Sequence, residues 1–263
     1  MMLKIAEQQQ HRMLSVRLAG SDADVTTAQK LRWDVFYGDM GATADERLSV
    51  PGLDSDPYDA VCDHLLVEDH AGGEARVVGT YRLLRQSVAM RQGGFYTAGE
   101  FDLEPFLYRT DDCGEMLELG RSCVAPDYRD AGTIQLLWRG IAAYLADHGM
   151  SRMFGCASFP GADPQAHAAP LSYLYHHHLA PADLRVRALG DRHVEMAMLP
   201  LGGYDARQAM RLLPPLIKGY LRIGAMVGDG AVIDRQFNTV DVFMVMPVEA
   251  IAQRYMSRFG AAA

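Results

Sequence analysis

The stretch ELGRSCVAPDYRDAGTIQLLWRGIAAYL, residues 118–145, constrains the fold of this chain more than any other. It begins as an apolar strand that contains two charged residues, Glu118 and Arg121, and it continues through a proline turn and a glycine loop into an amphipathic helix. Charged side chains in a buried strand cost free energy unless they form ion pairs, so their presence indicates either such a pair or a functional role. The pattern therefore indicates a strand–loop–helix unit with either a structural ion pair or a functional site at its centre.

The spacing of these charges predicts a local distortion of the strand. Strict alternation would place Glu118 and Arg121 on opposite faces. Gly120 lies between them, and a β-bulge there would turn both side chains toward one site and leave backbone N–H groups free to bind a carbonyl oxygen. The following helix begins near Gly132 and Thr133, and a helix N-terminus offers further N–H groups to an anion. We favour a functional site over a purely structural ion pair.

Composition limits the classes of protein that this chain can belong to. Its 263 residues are 49% apolar and 22% charged, which is typical of a globular protein, and no linker rich in Gly, Ser or Pro divides it. We therefore expect a single domain, residues 1–263. The formal net charge of −8 argues against a nucleic-acid-binding protein. Of the 25 basic residues 22 are arginines, which bind carboxylates and phosphates at local sites.

The sequence also favours a cytoplasmic location. The first residues, MMLKIAEQQQHR, contain neither the apolar segment nor the cleavage site of a signal peptide. Four cysteines without CxxC spacing are typical of reduced thiols. The longest run without acidic or basic residues, 164–182, contains three prolines and is unsuited to cross a bilayer. We expect membrane contact to be peripheral, at the inner face of the cytoplasmic membrane.

Hydrophobic periodicity predicts the order strand, helix, hairpin, strand, helix, strand for the first 160 residues. The predicted elements are a strand at 14–18, a helix from Ser21, the hairpin HLLVED–ARVVGTYRLL, the strand EMLELGRSCV, a helix from Thr133 to Gly149 with Thr133 as its cap, and the strand SRMFGCASF. The C-terminal third is less regular. We expect a helix at LSYLYHHHL, extended segments at RVRAL and VEMAML, a helix broken at Pro214–Pro215, the strand VDVFMVM and a final helix, VEAIAQRYMSRF.

Nine blocks between Leu31 and Tyr255 follow one another in an order typical of one enzyme family. They are LRWDVFYGDMGA, YDAVCDHLLVED, VVGTYRLLR, GGFYTAGEFDL, LELGRSCVAPDYRDAGTIQLLWRGIAAY, FGCASFPGADP, LPPLIKGYLRIGA, VGDGAVID and FNTVDVF. With these blocks the chain resembles the bacterial L-ornithine N-alpha-acyltransferases of ornithine-lipid synthesis, which are haemolysin-like acyltransferases with the GNAT fold. The resemblance implies an α+β fold with a mixed, centrally splayed sheet flanked by helices, and extra C-terminal strands and helices.

The resemblance implies transfer of a (3-hydroxy)acyl chain from an acyl-carrier-protein thioester to the alpha-amine of L-ornithine, giving lyso-ornithine lipid. Glu118 would take the proton of the amine, and N–H groups from Ser122 to Val124, including that of Cys123, would hold the oxyanion. A tyrosine, Tyr173 or Tyr175, would protonate the leaving thiolate.

A fainter resemblance connects the chain to the acyl-homoserine-lactone synthases, which use the same fold and carrier-protein donor. The matching positions are Arg32, Phe36, Asp59, Asp63, Arg82, Glu118 and Arg121. It supports a carrier-protein donor, which brings its own phosphopantetheine, so no separate cofactor is expected. Arg129, Gly132 and Thr133 would contact that group, although Asp130 stands where the family pattern has a small residue.

The acceptor site is less defined by the sequence. Arg82 or Arg121 would hold the ornithine carboxylate, and an acid would hold the side-chain ammonium. The candidates for that acid are Asp59, Asp63, Asp234 and Asp241, and the first two could equally be surface acids. An arginine patch for the carrier protein would include Arg85, Arg91, Arg129, Arg139 and Arg152.

Three other interpretations stay open at this point. The acceptor could be another amino acid, the enzyme could be a lactone synthase, or the chain could be a non-catalytic GNAT-like module. The histidine run 176–178 suggests a metal site, but consecutive helical residues point about 100° apart, so we expect no metal.

Overall fold

A mixed β-sheet organises the part of the chain that the computed structural model describes, residues 12–44, 50–108 and 114–249. The strands are β1 (Leu14–Leu18), β2 (Asp63–Asp69), β3 (Arg76–Arg85), β4 (Phe101–Asp102), β5 (Glu115–Val124), β6 (Met150–Pro160), β7 (Arg187–Ala188), β8 (His193–Val194), β9 (Met226–Asp234) and β10 (Thr239–Pro247). The α-helices are α1 (Asp22–Trp33), α2 (Gln86–Ala89), α3 (Glu104–Tyr108), α4 (Ala131–Asp147), α5 (Ala168–His178), α6 (Ala206–Leu212) and α7 (Pro215–Arg222).

The strand order is β1-β2-β3-β5-β6-β10-β9-β7-β4, and β8 pairs with β9. Most neighbours are antiparallel, but β5 and β6 are parallel and α4 connects them. Long apolar runs such as HLLV in β2 are buried on both faces, which explains their weak alternation. The expected α+β architecture with a mixed sheet flanked by helices is confirmed.

The centre of the sheet splays between β5 and β6. Their pairing extends only from Glu115 to Glu118, which lies beside Phe154. Beyond that point β5 remains paired with β3, and β6 remains paired with β10. Gly155 lies at the start of the opening, where a Cβ atom would be 2.2 Å from the carbonyl oxygen of Leu119. Only glycine permits this approach of the two backbones.

Different helices cover the two faces of the central strands. On one face, Tyr81 of β3 contacts Tyr220 of α7, and Gly79 lies against Leu137 of α4. On the other face, Cys123 of β5 contacts the carbonyl of Leu31 in α1. The segment 86–108 also lies on this second face and packs around Phe154 and other aromatic rings.

Several predicted elements are confirmed, and others need correction. α1 begins after Ser21, whose side chain accepts from Asp24 N, and the helix at Pro214–Pro215 is divided into α6 and α7. α4 is capped by Asp130 and not by Thr133, since Asp130 supplies the side-chain acceptor.

In the C-terminal third, the extended segments RVRAL and VEMAML shorten to the two-residue strands β7 and β8. The strand β9 was not anticipated, because its sequence MVGDGAVID contains two glycines and two aspartates that weaken the strand pattern. Most of the predicted final helix lies outside the described residues, which end at 249.

Candidate active site

A cleft of about 790 Å³ passes through the opening between β5 and β6. Its wall includes Tyr81 and Leu137 from the face covered by α4 and α7, and Thr97 and Glu118 from the opposite face. It therefore connects the two faces of the sheet. The apolar part of the wall lies beside α4, α6 and α7 and comprises Ile134, Leu137, Trp138, Leu212, Leu213 and Leu216.

Glu118 occupies the point where β5 and β6 separate, and only 4% of it is exposed. Its carboxylate accepts hydrogen bonds from the backbone N–H groups of Thr97, at 2.7 Å, and Tyr96, at 3.1 Å. A 3₁₀ helix, Tyr96–Gly99, presents both donors. Burial raises the pKa of Glu118 above its ordinary value, and the hydrogen bonds only partly offset this effect. A fixed carboxylate with a raised pKa is suited to accept a proton.

The expected β-bulge lies directly after Gly120. Arg82 pairs with Gly120 and Thr80 with Cys123, so two residues of β5 face the single Tyr81 of β3. Arg121 is one of them and has a φ of 50°, a left-handed conformation that is unfavourable for a side chain with a Cβ atom. The bulge brings Arg121 to the cleft wall together with Glu118, as the sequence predicted.

A network of three arginines and three aspartates supports this wall. Arg32 is fully buried and binds Asp54 at 2.7 Å and Asp59 at 2.8 Å. Burial opposes ionisation of Asp59, but the guanidinium groups of Arg32 and Arg82 together lower its pKa to about 2. These contacts are internal, because neither Arg32 nor Asp59 lines the cleft.

The other two arginines of this network do line the cleft. Arg82 binds Asp56 at 2.6 Å and Asp59 at 3.2 Å, so its charge is largely neutralised. Arg121 binds Asp54 and Asp56 at 3.2 Å each, and its guanidinium lies 4.7 Å from the ring centre of Tyr96.

The N-terminus of α4 differs from the expected phosphate site. The Asp130 carboxylate accepts from Thr133 N at 3.0 Å and forms an ion pair with Arg12, so an anion already occupies this end of the helix. Gly132 and Thr133 are not part of the cleft wall. Arg129 is part of it, and its guanidinium binds Asp39 at 2.6 Å.

Comparison with known proteins identifies the family. Residues 31–139 match the acetyltransferase (GNAT) domain family. The chain is 47% identical over 253 residues to the L-ornithine N(alpha)-acyltransferase of Brucella abortus (strain 2308), a match that covers 95% of this chain and 90% of that protein. It is 46% identical over 251 residues to the L-ornithine N(alpha)-acyltransferase of Rhizobium meliloti (strain 1021), covering 94% and 84%. The chain belongs to the L-ornithine N(alpha)-acyltransferase family.

Solved structures share the fold of this family member at much lower identity. The AHL synthase LasI superposes with a TM-score of 0.52 at 13% identity, over 95% of this chain and 96% of that chain. FeeM, an N-acyl amino acid synthase from uncultured soil microbes, superposes with a TM-score of 0.50 at 10% identity, over 92% and 95%. At these identities the comparison concerns the fold alone, which is GNAT-like.

The structure of this L-ornithine N(alpha)-acyltransferase family member brings only part of the predicted site together. The predicted residues on the cleft wall are Phe36, Arg82, Glu118, Arg121, Ser122, Cys123, Val124, Arg129, Asp234 and Asp241. The predicted residues away from it are Arg32, Asp59, Asp63, Gly132, Thr133 and Tyr173. The roles of the first group toward substrate stay predictions, and the geometry does not support direct substrate contact by the second.

Asp63 and Tyr173 have other partners. Asp63 accepts from the Tyr144 hydroxyl at 2.5 Å and lies 3.7 Å from Arg85. Tyr173 packs against the core, and its ring lies tilted against that of His177 of its own helix, at 4.7 Å between ring centres. Its position on α5 therefore does not support a role as the acid for the leaving group.

Two other tyrosines approach the cleft where the thiolate would leave. Tyr81 lines the cleft, and its hydroxyl is 2.9 Å from the hydroxyl of Tyr220. Burial raises the pKa of both phenols, so both remain protonated at neutral pH and able to donate. Sequence analysis missed this pair because β3 and α7 are more than 130 residues apart, although Tyr220 lies in the block LPPLIKGYLRIGA.

Among the described residues, the cysteines form no disulfide bond, and His176 of the histidine run has a backbone partner. Cys62, Cys123 and Cys156 are unpaired, and Cys113 lies outside the described ranges. Burial raises the pKa of Cys123 to about 12, so the residue stays a neutral thiol on the cleft wall. In the histidine run, the ring of His176 is within 3.0 Å of the carbonyl of Leu199.

Proposed function

We propose that the protein transfers a (3-hydroxy)acyl chain from an acyl-carrier-protein thioester to the alpha-amine of L-ornithine and so forms lyso-ornithine lipid. Membership of the L-ornithine N(alpha)-acyltransferase family supports the acceptor and the reaction. The observation that carries the mechanism is the buried Glu118 carboxylate at the point where β5 and β6 separate. A non-catalytic module would have no need to maintain a buried acid on the wall of an open cleft.

The proposed reaction uses Glu118 as the general base. The alpha-ammonium of ornithine gives one proton to the Glu118 carboxylate, directly or through water, and the free amine attacks the thioester carbonyl. A C–N bond forms, and the negative charge moves to the carbonyl oxygen, where backbone N–H groups at and after the bulge, from Ser122 to Val124, would stabilise it. Collapse breaks the C–S bond, and the second proton of the nitrogen passes to the leaving thiolate. Tyr81 and Tyr220 are placed to assist this last transfer.

The two substrates approach from opposite faces in this proposal. The acyl chain occupies the apolar wall beside α4 and α7, and the exposed Ile134 and Leu212 lie where it would enter. The amino acid approaches from the face that carries Glu118 and Arg121. We assign its carboxylate to Arg121, because the ion pairs of Arg121, at 3.2 Å each, are longer than the 2.6 Å pair between Arg82 and Asp56. The thioester carbonyl then lies in the opening between the strands, next to the base.

We place the carrier protein on α6 and α7, which changes the docking patch expected from sequence. Arg85 and Arg152 pair with Leu117 and Met116 in the closed part of the sheet, away from the opening. By contrast, residues 205–223 contain a single acid, Asp205, and adjoin the apolar entrance of the cleft. Their basic residues are Arg207, Arg211, Lys218 and Arg222. Carrier proteins dock through an acidic helix, so this surface is complementary.

No helix in the described ranges has both the length and the apolar character needed to cross a membrane. Peripheral contact with the inner face of the membrane stays a prediction. The carrier protein would deliver its own phosphopantetheine, so the proposal requires no separate cofactor.

Expression in a bacterial host that lacks ornithine lipids tests the proposed function. We expect lipid extracts to contain N-acylated ornithine by liquid chromatography and tandem mass spectrometry, with the acyl group on the alpha-nitrogen. Cells that express Glu118→Gln at the same protein level provide the control and should contain on the order of a hundredfold less. Acylation of a different amino acid, or of none, would contradict the proposed acceptor.

A further inference from the structure

Three buried carboxylates lie together beside the catalytic cleft. Glu100, Asp234 and Asp241 are 5%, 8% and 6% exposed, and one carboxylate oxygen from each lies within 4.8 Å of the others. Asp234 ends β9, Asp241 lies in the neighbouring β10, and Glu100 follows the 3₁₀ helix that holds Glu118. Like charges this close and this buried destabilise one another, so the cluster needs a reason to exist.

The protein compensates these charges unequally. Asp234 accepts from the backbone N–H groups of Gln236, at 2.8 Å, and Phe237, at 3.0 Å. Glu100 accepts from Arg192 at 3.3 Å and from the Cys156 thiol at 3.4 Å. These two acids therefore have donors within the protein.

Asp241 is compensated less completely, because hydrogen bonds with Ser158 and Thr239 lower its pKa but one of its two oxygens has no donor in the described ranges. Its Oδ1 atom is buried and has no hydrogen-bond partner among the residues that the structure describes. A buried polar atom without a partner costs free energy and is rare in native structures, unless a ligand or water completes it. Burial, followed by the charge of Glu100, raises the pKa of Asp241 to about 7, and burial also raises the pKa of Glu100. The cluster is thus short of positive charge.

Asp241 also faces the cleft that contains the proposed base. Asp241 and Asp234 both line this cleft, on the same wall as Ser158, which pairs with Asp241 across the sheet. Glu118 and Arg121 line it as well. An acceptor whose alpha-amine meets Glu118 and whose carboxylate meets Arg121 therefore has a third group of acids on the same surface.

We propose that Glu100, Asp234 and Asp241 bind the side-chain ammonium of the acceptor, with Asp241 as its principal partner, and so select diamino acids over neutral amino acids. This inference rests on the proposed function. It assigns two of the four aspartates considered from the sequence, Asp241 and Asp234, and adds Glu100, which sequence analysis missed. It also fixes which amine reacts, because the distal ammonium is held by carboxylates and only the alpha-amine reaches Glu118.

The carboxylate oxygens of this cluster suit an ammonium group better than a divalent metal ion. Ca²⁺ takes six to eight oxygen ligands, and Mg²⁺ requires a near-octahedral shell. In this cluster the acids already accept from two backbone N–H groups, a guanidinium and a thiol. A single unpartnered oxygen flanked by two further carboxylates suits an N–H donor that carries a positive charge.

The test compares L-ornithine with L-norvaline, which has the same carbon chain but lacks the distal amine. Initial rates with purified protein and acyl carrier protein give kcat/KM for each acceptor, and calorimetry gives the affinity of each in the absence of donor. We expect the Asp241→Asn variant to lose on the order of tenfold to a hundredfold in kcat/KM for ornithine, mainly through KM, and to leave norvaline unchanged. Asp69→Asn is the matched control, since Asp69 is a buried acid outside the cleft, and its preference should equal that of the parent.

Glu100→Gln provides a second variant in case Asp241→Asn fails to fold, and it should shift the preference in the same direction. A folded Asp241→Asn protein that keeps the parental preference for ornithine over norvaline would overturn the inference while leaving the proposed function intact. Stoichiometric Mg²⁺ or Ca²⁺ bound at this cluster, lost in Asp241→Asn, would also overturn it. If the parent acylates neither amino acid, the proposed function fails, and calorimetric binding of ornithine still decides whether the cluster holds its ammonium.

Discussion

Two buried carboxylates in one cleft have different surroundings, which suit the different roles that we propose for them. Glu118 accepts two backbone hydrogen bonds that fix its orientation, whereas Asp241 Oδ1 has no donor within the described residues. Burial raises the pKa of each, so each is ready to bind a proton or a positive charge. The fixed orientation of Glu118 suits a base that acts on an amine. The Asp241 oxygen without a donor in the described part of the chain suits a binding site for an ammonium group.

This arrangement predicts that the unligated protein is less stable because of Asp241. The pKa of this carboxyl is raised from 3.8 to about 7 by burial and by Glu100. Between these two values the unfolded chain has released a proton that the folded protein still holds, so stability falls as pH rises through this window and then levels off. Asp241→Asn removes the ionisable group and should therefore gain roughly 1 kcal/mol or more at pH 8 relative to the parent.

Urea denaturation at pH 5 and pH 8 measures this effect. The stabilisation by Asp241→Asn should be larger at pH 8 than at pH 5. Saturating ornithine should stabilise the parent more than the variant, since only the parent presents the full carboxylate cluster. An equal stability difference at both pH values would argue against the raised pKa.

At the scale of secondary-structure elements, the sequence predicted the β5–α4–β6 unit and the bulge but not their surroundings. The pattern of residues 118–145 is local, so the strand, the helix and the distortion near Gly120 could be inferred. Asp54 and Asp56, which bind Arg121, come from a loop about 65 residues away, and no local pattern connects them. For the same reason Tyr220 was not considered from the sequence, since only the packing of α7 against β3 brings its hydroxyl to that of Tyr81.

The opening between β5 and β6 depends on Gly155. A Cβ atom there would be 2.2 Å from the carbonyl oxygen of Leu119, a backbone atom that cannot move without shifting β5. Gly155→Ala should therefore destabilise the protein by about 1–3 kcal/mol and reduce activity by displacing Glu118. Gly72→Ala is the control, because nothing lies within 4 Å of the Cβ position of Gly72. Chemical denaturation and initial rates measure both variants, and a Gly155→Ala protein with parental stability and activity would contradict this view of the opening.

At the scale of the whole molecule, the cleft divides the surface into two functional sides. In the proposed function the thioester donor would meet α6 and α7, and the amino acid would meet the face that carries Arg121 and the acid cluster. The sequence predicted the fold class and the family through its nine blocks, but not this division, because it arises from strands that meet only in three dimensions. The strand β9, which contributes Asp234, could not be predicted either, because its glycines and aspartates weaken the sequence pattern of a strand.

Docking of the carrier protein on α6 predicts a charge effect confined to the donor. Arg207 and Arg211 are exposed, and reversing both charges with Arg207→Glu and Arg211→Glu should lower kcat/KM for acyl carrier protein about tenfold at low salt. The difference should shrink as salt is raised, because exposed charges are screened. Arg185→Glu with Arg187→Glu makes the same charge change outside the cleft wall and should have little effect. If both double variants lost the same factor in kcat/KM, the net charge of the protein, and not the α6 surface, would determine the rate.

The most direct test of the account is the rate of ornithine acylation by Glu118→Gln in a purified system. Glutamine has nearly the same shape, and its one carbonyl oxygen can keep the shorter hydrogen bond, the one from Thr97 N, while the Tyr96 N–H loses its acceptor. Thermal unfolding therefore accompanies the rate measurement and verifies that the fold is retained. We predict that kcat falls roughly a hundredfold or more, because the amine loses its proton acceptor, while the KM for the carrier protein changes little. A folded Glu118→Gln protein that acylates the alpha-amine of ornithine at close to the parental rate would contradict the central claim.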